Sequence, residues 1–457
     1  MGKQVVVPNV ISKNMSRSVE AFEEAKQVIP GGVTANIKYF QPHPIVMERG
    51  KGSRLIDVDG NEYVDYLLCY GALIAGHGHP KVNEAVVTFL QSTGSVFGAP
   101  HQLELAMAQK LCELFPSIDM VRFTNSGLEA TLLTIRLAKA ITGKRKVAKF
   151  EGHYHGGYDQ MLISVNPDVM NAGHETIPRS VPDSKGISDY DLEHTIVLPF
   201  NNIAETDLIL RKHKDEIAAV ILEPVQGGYI PADEHFMYQL RKITEELGIL
   251  LIFDEVKTGF RLHLGGAQSV YNVKPDLTAL GKVLGGGFPI GAVGGKKEMM
   301  EIMSPERGND ILIAGEKNKR SDDIMFHSGT YNGHPTVLTA GLATIEVLEE
   351  GDTMRTLLKN SKMLRTELES LYHRYNIDMQ AIGMGSMFNI VLSNEKISNY
   401  RDMGKANVDL RKRIDYELLK LGIYTKPMNR YSLSVAHTEN DIHDTIEVHE
   451  HVIKKIR

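Results

Sequence analysis

Two residues set the chemistry this chain can do. Asp254 closes a run of branched apolar residues, Ile249-Leu-Leu-Ile-Phe-Asp254-Glu255-Val256, and Lys282 follows a second run, Leu277-Thr-Ala-Leu280-Gly281. Gly285, Gly286 and Gly287 come directly after it. An apolar run that stops abruptly at polar residues is the pattern of a buried parallel strand whose carboxyl end opens onto a site. There a lysine amine can form a Schiff base with an aldehyde cofactor, and a carboxylate can keep that cofactor's ring nitrogen protonated. Pyridoxal phosphate needs both groups. Either residue alone would be an ordinary turn cap or surface lysine; together, beside glycines that permit close backbone approach, they point to catalysis.

Further stretches fit around such a cofactor. Thr124-Asn125-Ser126-Gly127-Leu128-Glu129-Ala130 lies between an expected strand and a helix, where free N–H groups at a helix start favour a phosphate. A Ser-Gly pair there is also an ordinary N-cap. Phe150-Glu151-Gly152-His153-Tyr154-His155-Gly156-Gly157 follows a strand directly, and an aromatic side chain at that edge can stack on a planar ring. His153 and His155 are read as binding within their own turn, with no metal. Glu223-Pro224-Val225-Gln226 ends another strand. A glutamate buried there must be paired, and for Glu223 a bracing role is at least as natural as a catalytic one. Val256, two residues after Asp254, points the same way along an extended strand. His327-Ser328-Gly329-Thr330-Tyr331-Asn332-Gly333 is a polar cluster ahead of a helix.

On these stretches the chain resembles the class III (ω) aminotransferases of fold type I. Within them it is most similar to the branch of glutamate-1-semialdehyde 2,1-aminomutase and the β-amino-acid transaminases. The likeness runs from about Arg17 to the C-terminus. It implies an α/β PLP-dependent transferase fold: a large domain with a mainly parallel, doubly covered sheet, and a small α+β domain built from both termini. It implies that Lys282 and Asp254 are catalytic, and that Ser126, Gly127 and Leu128 hold the phosphate. The family's usual threonine after the glycine is Leu128 here, so backbone donors must suffice. By the same likeness Tyr154 and Val256 sandwich the pyridine ring, Glu223 and Gln226 lie beside it, and Gln226 reaches its phenolic oxygen. Gly329 and Thr330 would donate to the phosphate of a neighbouring subunit, which implies a homodimer with shared sites.

The substrate residues match less closely. The aminomutases have an arginine at the position of Lys38; lysine supplies the charge without the bidentate fork. They also have a glutamate ahead of the C-terminal Ser-x-Ala-His-Thr stretch, whereas residues 424–438 contain no acid. The arginines that bind carboxylate in the β-amino-acid transaminases are unmatched too, with Ala35 and Met428 near those places. Lys38, Lys426 and Arg430 remain as anion contacts, each with a plain surface role as its alternative. The resulting expectation is a PLP-dependent aminotransferase acting on an amine or amino acid and a keto acid or aldehyde, with the intramolecular aminomutase as the alternative. A catalytically inactive sensor or scaffold is a third reading, disfavoured because Lys282 and Asp254 are both retained.

The elements that must position these groups alternate between strand and helix, which predicts a mainly parallel sheet. Strands are expected at 121–123, 146–150, 218–222, 249–253, 277–280 and 290–294, with a helix over 128–141 closed by Gly143. The domains divide as 1–70, an N-terminal part of the small domain; 71–335, the large cofactor-binding domain; and 336–457, the C-terminal part of the small domain. Helices are expected over 12–29, 354–375 and 401–421, a small antiparallel unit around Asp59-Gly60-Asn61, and a surface insertion at 304–325. A net charge of −6 argues against nucleic acid, and two cysteines, Cys69 and Cys112, fit a reducing cytoplasm. No apolar run reaches membrane-spanning length, and the histidines of Gly76-His77-Gly78-His79 lack ligands at metal spacing.

Overall fold

The computed structural model describes residues 15–307 and 324–456. The chain divides into two compact units: Met1–Pro80 with Glu350–Glu395 and Lys405–Arg457, and Lys81–Glu349 with Lys396–Gly404.

The second unit is built on a seven-stranded sheet. In chain order its strands are β1 (Met120–Thr124), β2 (Lys146–Phe150), β3 (Thr195–Leu198), β4 (Ile217–Leu222), β5 (Leu250–Asp254), β6 (Leu277–Gly281) and β7 (Gly291–Gly295). Their spatial order is β1-β7-β6-β5-β4-β2-β3. Neighbours from β6 through β3 pair in parallel, and β7 alone runs antiparallel, between β1 and β6. Every residue of β4 and β6 is buried, as strands covered on both faces must be. The helix Gly127–Thr142 buries Ala130, Thr131, Leu133, Thr134, Ile135, Leu137 and Ala138, a broad arc of its surface. Its apolar members join a cluster with Val147, Ile221, Ile252, Leu277 and Val293 from five strands. Gly143, at φ +68°, ends the helix in the left-handed conformation that glycine adopts without steric cost.

The first unit draws on both ends of the chain. Met47–Lys51, Arg54–Asp57 and Glu62–Asp65 form an antiparallel meander, and Ile423–Tyr424 pairs in parallel with its last strand. The hairpin at Gly60 is tied by Asp57, whose Oδ1 accepts the N–H groups of Asp59 and Asn61. Helices Thr353–Arg374, Val408–Lys420 and Glu439–Ile456 accompany a second sheet of Gln380–Met384, Met387–Val391 and Tyr431–Ser432.

Several expectations need correction. The helix foreseen over 12–29 occupies Ser16–Ala25, with residues 12–14 outside the described part. The helix foreseen over 401–421 begins at Val408, because the Asn407 side chain caps it by accepting the Leu410 N–H. Arg401–Lys405 is a separate 3₁₀ turn. Most of the stretch 304–325 lies outside the described residues. The histidine of the Gly-His-Gly-His stretch that reaches a carboxylate is His77, whose Nε2 is 2.7 Å from Asp65 Oδ2.

One lysine of the sheet is wholly buried. Lys149, in β2, donates from Nζ to the carbonyls of Ile163 (2.5 Å) and Met161 (3.2 Å). Burial pushes its pKa down to about 7, against the opposing pull of Asp183 and Glu223. The unfolded chain therefore binds more protons than the folded one between about pH 7 and the ordinary lysine value of 10.5. Stability contributed at this position should rise with pH across that window, by at most about 1.4 kcal/mol per pH unit. Chemical denaturation of Lys149→Met at several pH values should show that increment missing; equal slopes in the two proteins would mean that Lys149 stays charged throughout.

Candidate active site

The carboxyl ends of the parallel strands bring the expected residues together. β5 ends on Asp254, whose backbone stands opposite Ala279 of β6, so Lys282 follows three residues further on, just past the end of the neighbouring strand. Asp254 is buried, and its Oδ1 accepts the Val256 N–H at 3.0 Å. Its Oδ2 lies 2.8 Å from Nδ1 of the fully buried His155. An ionised carboxylate only accepts, so this ring nitrogen carries the proton. This overturns the reading of His155 as a turn residue, since its partner lies 99 positions away. His153 is corrected likewise: its Nδ1 accepts the N–H of Glu223 at 3.0 Å. Burial holds the His153 pKa well below the ordinary value, so the ring is neutral.

β6 delivers Lys282 in an unusual backbone state. Its φ is +48°, in the left-handed region that costs a non-glycine residue of order 1–3 kcal/mol. A 3₁₀ turn, Lys282–Gly285, follows. Such strain persists where the surroundings over-determine it, and here they are tightly packed. A Cβ on Gly281 would lie 3.3 Å from Gly127 Cα and from Val256 Cγ1, and a Cβ on Gly127 would lie 2.6 Å from that same Cγ1. The end of β6, the first turn of the helix Gly127–Thr142 and Val256 thus meet at one point.

That helix start is open to an anion. Ser126 caps it by accepting the Glu129 N–H, and the Glu129 carboxylate returns to accept the Asn125 N–H at 2.8 Å. The N–H groups of Gly127 and Leu128, in the first turn, have no acceptor among the described residues. A phosphate would find two unspent donors and the positive end of a sixteen-residue helix.

Glu223, at the end of β4, organises the other side. Its Oε2 accepts the N–H groups of Tyr154 (3.0 Å) and Gly227 (3.3 Å), and its Oε1 pairs with Lys257 Nζ. Burial acts to raise its pKa, but the Lys257 ammonium beside it outweighs that and holds it below the ordinary carboxylate range. Tyr154 stays half exposed, with Lys257 Nζ 5.7 Å from its ring centroid. Gln226 Nε2 donates weakly to the Glu151 carbonyl at 3.4 Å, while its Oε1 is buried without a partner among the described residues. Gly329 and Thr330 lie in an exposed turn closed by the Asn332 N–H on the Gly329 carbonyl. Asn332 Oδ1 also accepts from Asn125, beside Ser126. These groups fit pyridoxal phosphate: free donors for its phosphate, a fixed carboxylate, a lysine, and an unsatisfied amide oxygen.

The three anion candidates belong to the first unit, where two are tied to Tyr70 and its partner carbonyl. Arg430 donates to the Tyr70 carbonyl at 2.9 Å, and the Tyr70 hydroxyl donates to the Ile37 carbonyl at 2.7 Å. Lys426 Nζ donates to that same carbonyl, and the adjacent Lys38 bonds Thr34 Oγ1 at 2.7 Å. Tyr70 sits in a left-handed turn in which Leu68, Cys69, Tyr70 and Gly71 have φ of 47°, 51°, 57° and 89°. Nothing in the sequence pattern marked that turn, since only Gly71 is of a type that favours it.

Comparison with known proteins agrees with this geometry. The family model described as aminotransferase class-III matches residues 36–451. Glutamate-1-semialdehyde 2,1-aminomutase of Ignicoccus hospitalis is 41% identical over 455 residues, covering 97% of this chain and 100% of the relative. The crystal structure of an omega-transaminase from Sphaerobacter thermophilus superposes with a TM-score of 0.89 at 35% identity, covering 96% of this chain and 97% of the other. A transaminase with PLP bound superposes with a TM-score of 0.86 at 28% identity, covering 97% and 98%. With the family pattern spanning it almost from end to end, this chain belongs to the class-III aminotransferases, enzymes whose cofactor is pyridoxal 5'-phosphate.

Proposed function

We propose that the protein transfers an amino group between an amine or amino acid, β-amino acids included, and a keto acid or aldehyde acceptor. The observation that carries this reading is the convergence of Asp254, fixed from both sides, with Lys282 just past the end of the adjacent strand and the open helix start at Gly127. When bound, the cofactor supplies an electron sink for the carbanion formed at the carbon bearing the amino group. Lys282 would anchor it, and its Nζ, as a neutral amine, would take the proton from that carbon and return it at the acceptor position. Asp254, oriented by His155 and the Val256 N–H, holds a proton at the ring nitrogen. Gly127, Leu128 and Ser126 would hold the phosphate, Tyr154 and Val256 would cover the ring faces, and Gln226, with Glu223 beside it, would meet the phenolic oxygen. Lys38, Lys426 and Arg430 supply positive charge for a substrate carboxylate.

The same reading makes 71–335 the cofactor domain, with 1–70 and 336–457 as the small domain, and places the enzyme in the cytoplasm as a homodimer. Exposed Phe97, Leu105 and Tyr331, near the Gly329–Thr330 turn in sequence or across the Gly333–His101 bond, support a second copy covering that face. Thr330 and Gly329 then serve the neighbouring subunit's phosphate.

An aminomutase that isomerises glutamate-1-semialdehyde is the second reading. The 41% identity to the Ignicoccus enzyme over its whole length favours it. Lys38 in place of arginine and the acid-free stretch 424–438 weigh against it.

Replacing Lys282 with Ala should lower turnover by more than about a thousandfold while the mass in solution stays that of a dimer. Turnover near the wild-type rate would remove the mechanism. Holoenzyme given glutamate-1-semialdehyde without a second substrate separates the two readings: many turnovers to 5-aminolevulinate establish the mutase. No product, from enzyme whose bound cofactor is still converted by other amines, establishes the transaminase. Lys38→Ala should raise KM for a carboxylate-bearing substrate roughly tenfold with kcat little changed; an unchanged KM would release Lys38 from the site.

A further inference from the structure

The nine residues Lys396–Gly404 belong to the second unit although the chain on both sides of them belongs to the first. Arg401, at the centre of this strap, makes a bidentate pair with the buried Glu151: Nε to Oε2 at 2.7 Å and Nη2 to Oε1 at 2.9 Å. Its remaining donors bind the carbonyls of Gly173 (2.8 Å) and Ala172 (3.1 Å). The preceding Tyr400 donates to the Pro167 carbonyl at 2.8 Å. Asn201 anchors the strap from below by donating to the Ser398 carbonyl at 2.8 Å.

What the strap presses on is the wall of the active site. Glu151 and Gly152 are the two residues that lead from β2 to His153 and Tyr154. Gly152, at φ +82°, has no room for a side chain: a Cβ there would lie 2.1 Å from Gln226 Nε2 and 2.5 Å from Tyr400 Cβ. Gly152 is therefore held between the strap and the Gln226 amide, and the Glu151 carbonyl is that amide's acceptor. We infer that Arg401 is a positioning residue for the cofactor. It fixes the Glu151–Gly152 peptide, and through it the Gln226 amide and the entry of the chain into Tyr154. The fork matters because it sets both carboxylate oxygens and so the rotation of Glu151, which a single point charge would leave free. The buried Gln226 Oε1, without a partner among the described residues, is the atom whose aim this brace controls.

The inference rests on the proposed roles of Gln226 and Tyr154, and the test keeps the two apart. Apoenzyme of the full chain would be titrated with pyridoxal phosphate, well below each variant's melting midpoint, for Gln226→Ala, Tyr154→Ala, Arg401→Met, Arg401→Lys and Glu151→Gln. The absorbance of the bound cofactor would be followed against pH in each. Arg401→Met and Glu151→Gln should each raise the cofactor Kd about tenfold and shift the pH at which the absorbance changes, with Arg401→Lys recovering only part. Should Arg401→Met fail to fold, Glu151→Gln, which keeps size and shape, decides alone. Wild-type affinity and pH titration in the Arg401 and Glu151 variants, with only a lowered melting midpoint, would make the pair a purely structural brace and overturn the inference. Unchanged binding in both Gln226→Ala and Tyr154→Ala would instead remove the proposed roles of those residues, and the inference with them.

Discussion

A carboxylate taken out of water must be met by a cation or by several donors, or it cannot stay charged. Among the carboxylates buried at the carboxyl edge of this sheet are three tied to groups from connecting segments, and the local structure follows from how each is met. Asp254 takes His155 and a backbone N–H, Glu223 takes Lys257 and two backbone N–H groups, and Glu151 takes both arms of Arg401. Each acid sits at or just past the end of its own strand, so the strand fixes where its charge is, and the three side-chain partners, His155, Lys257 and Arg401, come from three different connecting segments. The pairs are therefore the ties by which loops of ordinary mobility become rigid walls. Uncharging any one of them would free a segment as well as change a potential.

The glycines complete the arrangement from the opposite direction. Where the ion pairs pull loops inward, Gly127 and Gly152 let neighbouring side chains approach to distances that a single methyl group would prevent, and Gly281 lies close against the Gly127 backbone. The consequence at Gly127 and Leu128 is electrostatic as well as steric, because N–H groups that no side chain shields remain available to an anion.

Much of this was legible in the sequence, and what was not has a common physical reason. The strands ending at Asp254 and Gly281 announce themselves, because burial on both faces demands an uninterrupted apolar run and the site demands that it stop. The helix after Ser126 is equally plain from its apolar spacing and its terminal glycine. His155 was misread because its partner is 99 residues away, and a hydrogen bond over that separation leaves no periodicity to detect. Arg401 was read as part of a longer helix for the same reason, its acid being 250 residues distant. The left-handed turn through Cys69 and Tyr70 escaped notice because residue type argues against it; only the packing of the first unit makes it tolerable.

The strap also bears on how such a chain can reach its folded state. The second unit is not complete when Glu349 leaves the ribosome, since residues 396–404 are still to be made. Until then Glu151 has no guanidinium to meet it, and the carbonyls of Ala172 and Gly173 lack these donors. The sheet can form first from its own apolar strands, but its catalytic edge would remain unbraced until most of the other unit had been synthesised. If the proposed site is the one used, its ordering waits on residues that are made late in translation.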